Sequence, residues 1–395
     1  MLNGDKYFIA LYLSLLFFKL NGQYLVSALS VAPTKPLFAE LQRCFAPNKI
    51  LHKVGRHVHP DLDPNGILSS LILVRLSKQL ITLSNSGEDF KLDDDDNKYL
   101  SKILKTFAIA SWSSSAQSRD SAVEGTKAAS VISRLLPDLT NDETWEPLLQ
   151  QWHEQADGIA RYLEPYQLSG LKWSLDCFNL RDNIDDYILP PSIQRAYDSL
   201  QLPFLIRPAL CQKIPAFTVS NLTEQVHFQF DTVRTKSNRV VKERRQTAWE
   251  GDDNVAPFDY SGKSMERRPW SPLVLEARNH LSRETGHKYD GCLLNLYPDG
   301  GSGMRYHSDP DQGKIWSYET VVVSAGATRR FAFRNIPTND RNHDIKPHVF
   351  VLFHGDVTEM FNDCQAQFQH TVKTAEGKNE SMPRASLVFK KTLIP

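Results

Sequence analysis

From Pro36 to about Leu200, apolar positions recur three and four residues apart, the spacing that lays a stripe along one side of a helix. Ile67, Leu68, Leu71, Ile72, Val74, Leu76 and Leu80 predict one such helix, and Tyr99–Trp112, Trp145–Leu163 and Leu168–Leu180 predict three more. Pro64, Pro137 and Pro165 punctuate them. Ser84–Asn97, with its acidic run Asp93–Asp96, and Ser111–Ser121 are polar enough to read as loops or links. Near Leu202 the pattern changes, and from Gly291 onward apolar residues alternate with period two: Leu294 and Leu296, Val321 and Val323, Phe331 and Phe333, Phe350 and Leu352, Leu387 and Phe389. Turn-rich segments such as Pro298–Gly303 and Pro337–Asp344 separate these runs. Short strands without intervening helices predict an antiparallel sandwich or jelly roll, with one outer helix over Pro272–Thr285. The expected class is α+β: an all-α region over 36–200, then a β-rich domain over 203–395.

Residues 1–35 stand apart. Tyr7–Phe18 is an almost purely apolar run, too short for a membrane-spanning helix of roughly 20 residues but suited to the apolar part of a targeting signal. The expectation is an organellar location, plastid or mitochondrion, if the segment is removed, and nucleus or cytoplasm otherwise, with no stable membrane association. The helical pairs that follow resemble the α-solenoid repeats of organellar RNA-binding proteins, though without a clean repeat period.

Composition narrows the picture further. With 46 basic and 46 acidic residues the formal net charge is zero, so any attraction to a polyanion must be local. The five cysteines are scattered and never spaced as C-x-x-C, which argues against a disulfide framework or a zinc site.

The chemistry-bearing residues lie in the β-rich half. His307-Ser308-Asp309 places an imidazole and a carboxylate on one face of a strand, because side chains alternate. His370 completes a two-histidine, one-carboxylate set, which leaves coordination positions open as non-haem iron(II) oxygenation requires; zinc is more often closed by a fourth protein ligand. Arg384 supplies a planar fork suited to a dicarboxylate.

Thr285-Gly286-His287, Asn295-Leu296-Tyr297, His307-Ser308-Asp309, Gly326-Ala327-Thr328-Arg329 and Arg384 to Lys390 together closely resemble the AlkB family of nucleic-acid demethylases. The likeness runs from about Arg245 to Lys391 and takes in Thr247-Ala248-Trp249 and Phe258-Asp259-Tyr260-Ser261. The resemblance implies a double-stranded β-helix, with Fe(II), 2-oxoglutarate and O2 as cofactor and co-substrates. It assigns iron to His307, Asp309 and His370, and 2-oxoglutarate to Asn295, Tyr297, Arg384 and Lys390. It also assigns base stacking to Tyr260 with Phe258 beside it, and a base-edge contact to Asp311. Two departures stand out: Lys390 where the family's R-x5-R has its second arginine, and Pro310 where an acidic residue is common.

The implied partner is alkylated DNA or RNA, single-stranded or with its base flipped, acted on by a monomer. The basic run Arg234, Lys236, Arg239, Lys242, Arg244 and Arg245 is expected to track phosphates, extended by Arg267 and Arg268. Two alternatives remain open: a 2-oxoglutarate oxygenase acting on a protein or small molecule, and a helical-repeat RNA-binding protein whose oxygenase domain is degenerate, an idea that Lys390 favours.

Overall fold

The computed structural model describes residues 34–395 except 62, 64, 89, 111–115, 138–144, 146–148, 151–153, 155–156, 181–188, 235–238, 261–262, 337–344, 376–379 and 394–395. The targeting segment expected at the N-terminus lies almost wholly outside the described residues, and the turn expected at Pro337–Asp344 lies outside them.

The chain divides into two compact units. The first, Met1–Leu80, Lys91–Leu163 and Asn183–Ile193, is helical. It contains α1 (Thr34–Arg43), α2 (Pro47–Lys53), most of α3 (Ile67–Ser86), α4 (Asp94–Ala110) and α5 (Ala116–Leu135). Ile72, Leu73, Leu76, Ile103, Leu104, Phe107, Ala129 and Ile132 are all buried. The packing is close enough that a Cβ at Gly125 would meet the Phe107 ring at 2.4 Å. The acidic run expected as a loop opens α4 instead: Asp93 accepts the backbone N–H of Asp96 at 2.7 Å, and carboxylates in a first turn suit the helix dipole. Similarly, the polar residues from Ala116 to Ser121 begin α5 rather than link helices. Of the helix expected over Trp145–Leu163, the described part closes in a 3-10 segment, Asp157–Tyr162, where Gly158 weakens an α-helical continuation.

The second unit, Ile81–Phe90, Glu164–Asp182 and Gln194–Pro395, carries the sheets. Its compactness does not follow a single cut near Leu202, because two earlier segments belong to it. Asn85 donates to Glu380 Oε2 at 2.6 Å and accepts the Thr328 N–H at 2.8 Å. α6 (Pro165–Phe178) is held by a capping box between Glu164 and Gln167, and its Ser169 bonds His348 Nδ1 at 2.7 Å.

The sheets form a jelly roll, as the alternation implied. A seven-stranded sheet runs in the order β1 (Phe204–Arg207), β11 (Val357–Met360), β8 (Thr320–Gly326), β13 (Arg384–Lys390), β6 (Gly291–Tyr297), β3 (Val240–Gly251), β2 (Gln229–Arg234). A four-stranded sheet runs β10 (His348–Leu352), β9 (Arg329–Asn335), β12 (Phe368–Val372), β7 (Met304–His307). A hairpin of β4 (Phe258–Tyr260) and β5 (Lys263–Met265) stands apart from both.

Period two decides what each face of the large sheet carries. Cys292, Leu294, Leu296, Val321, Val323, Ala385, Leu387 and Phe389 share one core with Leu273, Val274, Ala277 and Leu281 of the expected helix Pro272–Thr285. The intervening positions Asn295, Tyr297, Ser324, Arg384, Ser386 and Lys390 are buried on the opposite face. A sheet face lined with buried polar and cationic side chains departs from ordinary core composition, and the candidate chemistry lies there. A short helix over Val219–Gln225 was not expected; Thr218 caps it by accepting the Asn221 N–H at 3.2 Å. All five cysteines are buried.

Candidate active site

β7 and β12 pair antiparallel with His307 directly opposite His370, which brings two histidines from distant parts of the chain side by side. Their ring centroids are 4.3 Å apart. Asp309, just beyond β7, lies between them: its Oδ1 is 3.7 Å from Nε2 of each histidine. The three ligand atoms fall within 4.8 Å of one another, the spacing of a shared cation.

Neighbouring groups set the orientation and charge of each ligand. His307 Nδ1 lies 2.9 Å from the Arg305 carbonyl, which fixes the tautomer with Nδ1 as donor and leaves Nε2 basic toward Asp309. His370 is packed among Phe331, at 5.7 Å and nearly parallel, and Phe333 at 6.2 Å. Burial, with His307 and Lys390 adding to it against the pull of Asp309, brings its pKa down to about 3, so it is a neutral ligand at physiological pH. Burial by itself would raise the Asp309 carboxyl, but Lys390, His370 and His307 hold it well below the usual carboxylate range. The Lys390 ammonium is 1% exposed and donates to Asp309 Oδ2 at 2.7 Å. Oδ2 is thereby engaged, and Oδ1 faces the histidines.

The structure places Lys390 on the same face of β13 as Arg384, six residues along the strand from it, with its ammonium on Asp309. Lys390 acts on the carboxylate ligand.

Arg384 and Asn295 behave as groups built for a missing partner. Arg384 is 1% exposed, and its only hydrogen bond among the described residues is from Nη2 to Ser324 Oγ at 2.9 Å. Its Nε and Nη1 are buried with no partner, as is Asn295 Oδ1. Burial pulls the Arg384 pKa down, opposed by Tyr297, whose ring lies 5.5 Å from the guanidinium carbon. A buried guanidinium with two unfilled donor positions is costly unless an anion completes it. Register puts Tyr297 opposite Arg384 and Asn295 opposite Ser386, so these groups border one stretch of the interior face. Two imidazoles, a carboxylate and this anion-seeking arginine fit Fe(II) with 2-oxoglutarate.

Comparison with known proteins agrees with that donor set. Residues 209–390 match the family model described as the 2OG-Fe(II) oxygenase superfamily. The chain is 31% identical over 156 residues to "Uncharacterized protein R406" of Acanthamoeba polyphaga mimivirus, covering 40% of this chain and 77% of that protein. The human "Alpha-ketoglutarate-dependent dioxygenase alkB homolog 3" is 29% identical over 185 residues, 46% of this chain and 58% of its own length.

The chain is an AlkB-like 2OG-Fe(II) oxygenase.

A further relative of this AlkB-like oxygenase is the human "DNA oxidative demethylase ALKBH2", 28% identical over 152 residues, which cover 38% of this chain and 57% of that protein. The chain thus spans a little over half the length of either human relative. Fe(II), 2-oxoglutarate and O2 are the cofactor and co-substrates that membership carries.

The residues expected to meet substrate fare unevenly. Phe258 is 2% exposed and packed in a cluster with Trp249, Met265 and Trp316. It supports Tyr260 from beneath, at 5.7 Å between ring centroids, and offers no free stacking face. Tyr260 is half-buried; its hydroxyl donates to Glu243 Oε2 at 3.0 Å. Arg245 is 7% exposed, paired with Glu243 at 3.0 Å, and within reach of Met304 Sδ on the strand that ends at His307. It is not the solvent-facing phosphate contact expected of it, because β3 turns inward from Arg245 onward. Glu243, an acid within the basic run, links Tyr260 to Arg245. Asp311 is exposed, in a left-handed turn (φ 59°) that its carbonyl closes by accepting N–H groups of Lys314, Ile315 and Trp316. Arg239, Lys242 and Arg244 remain exposed, and the Lys242 ammonium lies 4.1 Å from the exposed Phe230 ring. Lys236 lies outside the described residues.

Proposed function

We propose that this AlkB-like oxygenase removes N-alkyl groups oxidatively from bases of DNA or RNA presented singly, as a flipped or unpaired nucleotide. The observation that carries the reading is the convergence of His307, Asp309 and His370 within 4.8 Å, with Asp309 bonded to Lys390 on the polar face of the large sheet that also holds Arg384. The names of the human relatives, one of them a DNA oxidative demethylase, support the choice of substrate class.

His307, Asp309 and His370 hold the metal, with Lys390 keeping the aspartate ionised and oriented through Oδ2. Arg384 pairs with the distal carboxylate of 2-oxoglutarate, filling the donor positions at Nε and Nη1. Asn295 and Tyr297 border that site. When bound, iron and 2-oxoglutarate supply the oxidising chemistry that activates O2, yielding succinate, carbon dioxide and, from an N-methyl base, formaldehyde. The protein contributes geometry and a neutral His370 for which no proton competes near pH 7.

On the substrate side, Tyr260 offers a ring held by Glu243 and backed by Phe258. Stacking on it offsets part of the cost of unstacking the base, by about 1–3 kcal/mol. Asp311, exposed and two residues beyond the metal aspartate, is a candidate contact for the base edge. Exposed Arg239, Lys242 and Arg244 are suited to neighbouring phosphates.

The test is a panel of singly methylated DNA and RNA oligonucleotides and free nucleosides, with demethylated base and formaldehyde measured by mass. Metal-dependent release from one or more oligonucleotides is expected. Turnover confined to a protein or small molecule would overturn the assignment.

A further inference from the structure

The four-stranded sheet has an unusual charge content for a chain whose formal net charge is zero. Its strands read MRYH, RRFAFRN, HVFVL and FQHTV, with Arg305, Arg329, Arg330 and Arg334 and no aspartate or glutamate among them. Alternation separates two populations. Phe331, Phe333, Phe368 and His370 point into the jelly roll, while Arg330, Arg334 and Gln369 occupy the opposite face.

That outer face is organised around one aromatic ring. Tyr306, next to His307 on the edge strand β7, has the Arg334 guanidinium carbon 4.1 Å from its ring centroid and the Lys373 ammonium 4.7 Å away. Arg334 is oriented by two donations to Gln369 Oε1, at 3.1 and 2.8 Å. Lys373 is exposed and lies three residues past His370, with its backbone N–H bonded to the Arg330 carbonyl. Among the described residues neither Arg334 nor Lys373 is paired with a carboxylate. Partial desolvation of its stem, together with repulsion from Arg334 and Arg330, lowers the Lys373 pKa, so the cations are crowded rather than mutually relieved. An aromatic ring holding two like charges close together favours an anion that can take both.

We propose that Arg334 and Lys373, gathered on Tyr306 at the outer face of the four-stranded sheet, bind consecutive phosphates of the single-stranded nucleic acid whose base enters the active site. The inference rests on the demethylase reading for its choice of partner. Charge complementarity favours a phosphodiester strand, and Tyr306 adjoins a metal ligand, so a strand held here passes the edge of β7. This anchor is separate from the exposed basic residues of β3.

The experiment compares the full chain with its Arg334→Gln/Lys373→Gln variant. Binding of a fluorescein-labelled, methylated single-stranded oligonucleotide is followed by anisotropy across a salt series, alongside metal-dependent succinate formation without nucleic acid. Each lost phosphate contact lowers the log–log salt slope by about 0.7 for single strands, so the double variant should lose about 1.4, equivalent to about 25-fold weaker binding at 0.1 M salt. Succinate formation should be unchanged, which shows that the fold is intact. An unchanged slope and affinity would overturn the proposal, as would a loss confined to a polyglutamate probe, which would indicate an acidic protein partner instead. If the wild type binds the strand with the steeper slope yet demethylates nothing, the anchor stands and the demethylase reading fails.

Discussion

Replacing Lys390 by methionine separates the two states of the site. In the metal-free protein the ammonium at 2.7 Å is the nearest cation to a carboxylate that burial disfavours. At an effective dielectric of 20 the gross attraction is about 6 kcal/mol, and breaking a buried pair by removing one partner costs about 3–5 kcal/mol net. That is a large part of a typical folding free energy of about 5–15 kcal/mol. A divalent cation at Oδ1 compensates the same charge, so in the metal-loaded protein the loss should shrink toward that of one hydrogen bond, about 1 kcal/mol. Lys390→Met should therefore lower metal-free stability by about 3–5 kcal/mol and metal-loaded stability by about 1 kcal/mol. The difference, about 2–4 kcal/mol, is extra stabilisation by metal, a factor of about 30 or more in the coupling. Denaturant unfolding with and without saturating Mn(II), a redox-quiet substitute, measures both. Equal losses in the two states would show that Lys390 does not compensate Asp309, and the assignment would fall.

Three further outcomes follow from particular contacts. Arg384→Met should raise the KM for 2-oxoglutarate by roughly 10- to 150-fold, the equivalent of one charge-assisted pair at about 1.5–3 kcal/mol, with little change in metal affinity; an unchanged KM would remove Arg384 from that site. Tyr260→Ala should depress nucleic-acid turnover more than uncoupled 2-oxoglutarate consumption, and equal losses would sink the stacking role. Glu250 accepts from Ser271 Oγ at 2.5 Å and from its N–H at 2.9 Å, yet burial outweighs these bonds and raises its carboxyl above the ordinary value. A folded pKa above the unfolded one means its stabilising contribution is complete below the unfolded pKa, about 4.3, and declines as pH rises through the folded one. The stability difference between wild type and Glu250→Gln should accordingly shift against the wild type as pH rises from about 4 to 7; a constant difference would contradict the sign.

What the sequence reveals is what local periodicity and motif spacing encode. His307-Ser308-Asp309 has its chemistry written in three residues, and the alternation around Leu294, Val321 and Leu387 reports a sheet with one apolar face. The helix over Pro272–Thr285 is bounded by its own proline and by Gly286 at φ 74°, both local signals. The misreadings concern contacts that only tertiary structure creates. Phe258 is buried because Trp316, far along the chain, closes over it, and nothing near Phe258 announces that. Arg245 lies within a run of exposed cations and differs from them because β3 becomes buried there and its guanidinium meets Glu243 and Met304. The partnership of Lys390 with Asp309 spans 81 residues and depends on where β13 ends relative to β7. Asn85 reaches Glu380 across 295 residues, so the inclusion of Ile81–Phe90 in the second unit was invisible to any window along the chain.

The most direct measurement is an anaerobic titration of the full chain and its Asp309→Ala variant with Fe(II), read as bound metal per chain. The wild type should take up one ion that the variant loses, with a drop beyond the roughly 10- to 100-fold typical of removing an outer partner. Retention of that ion at comparable affinity would mean that His307, Asp309 and His370 are not the iron site.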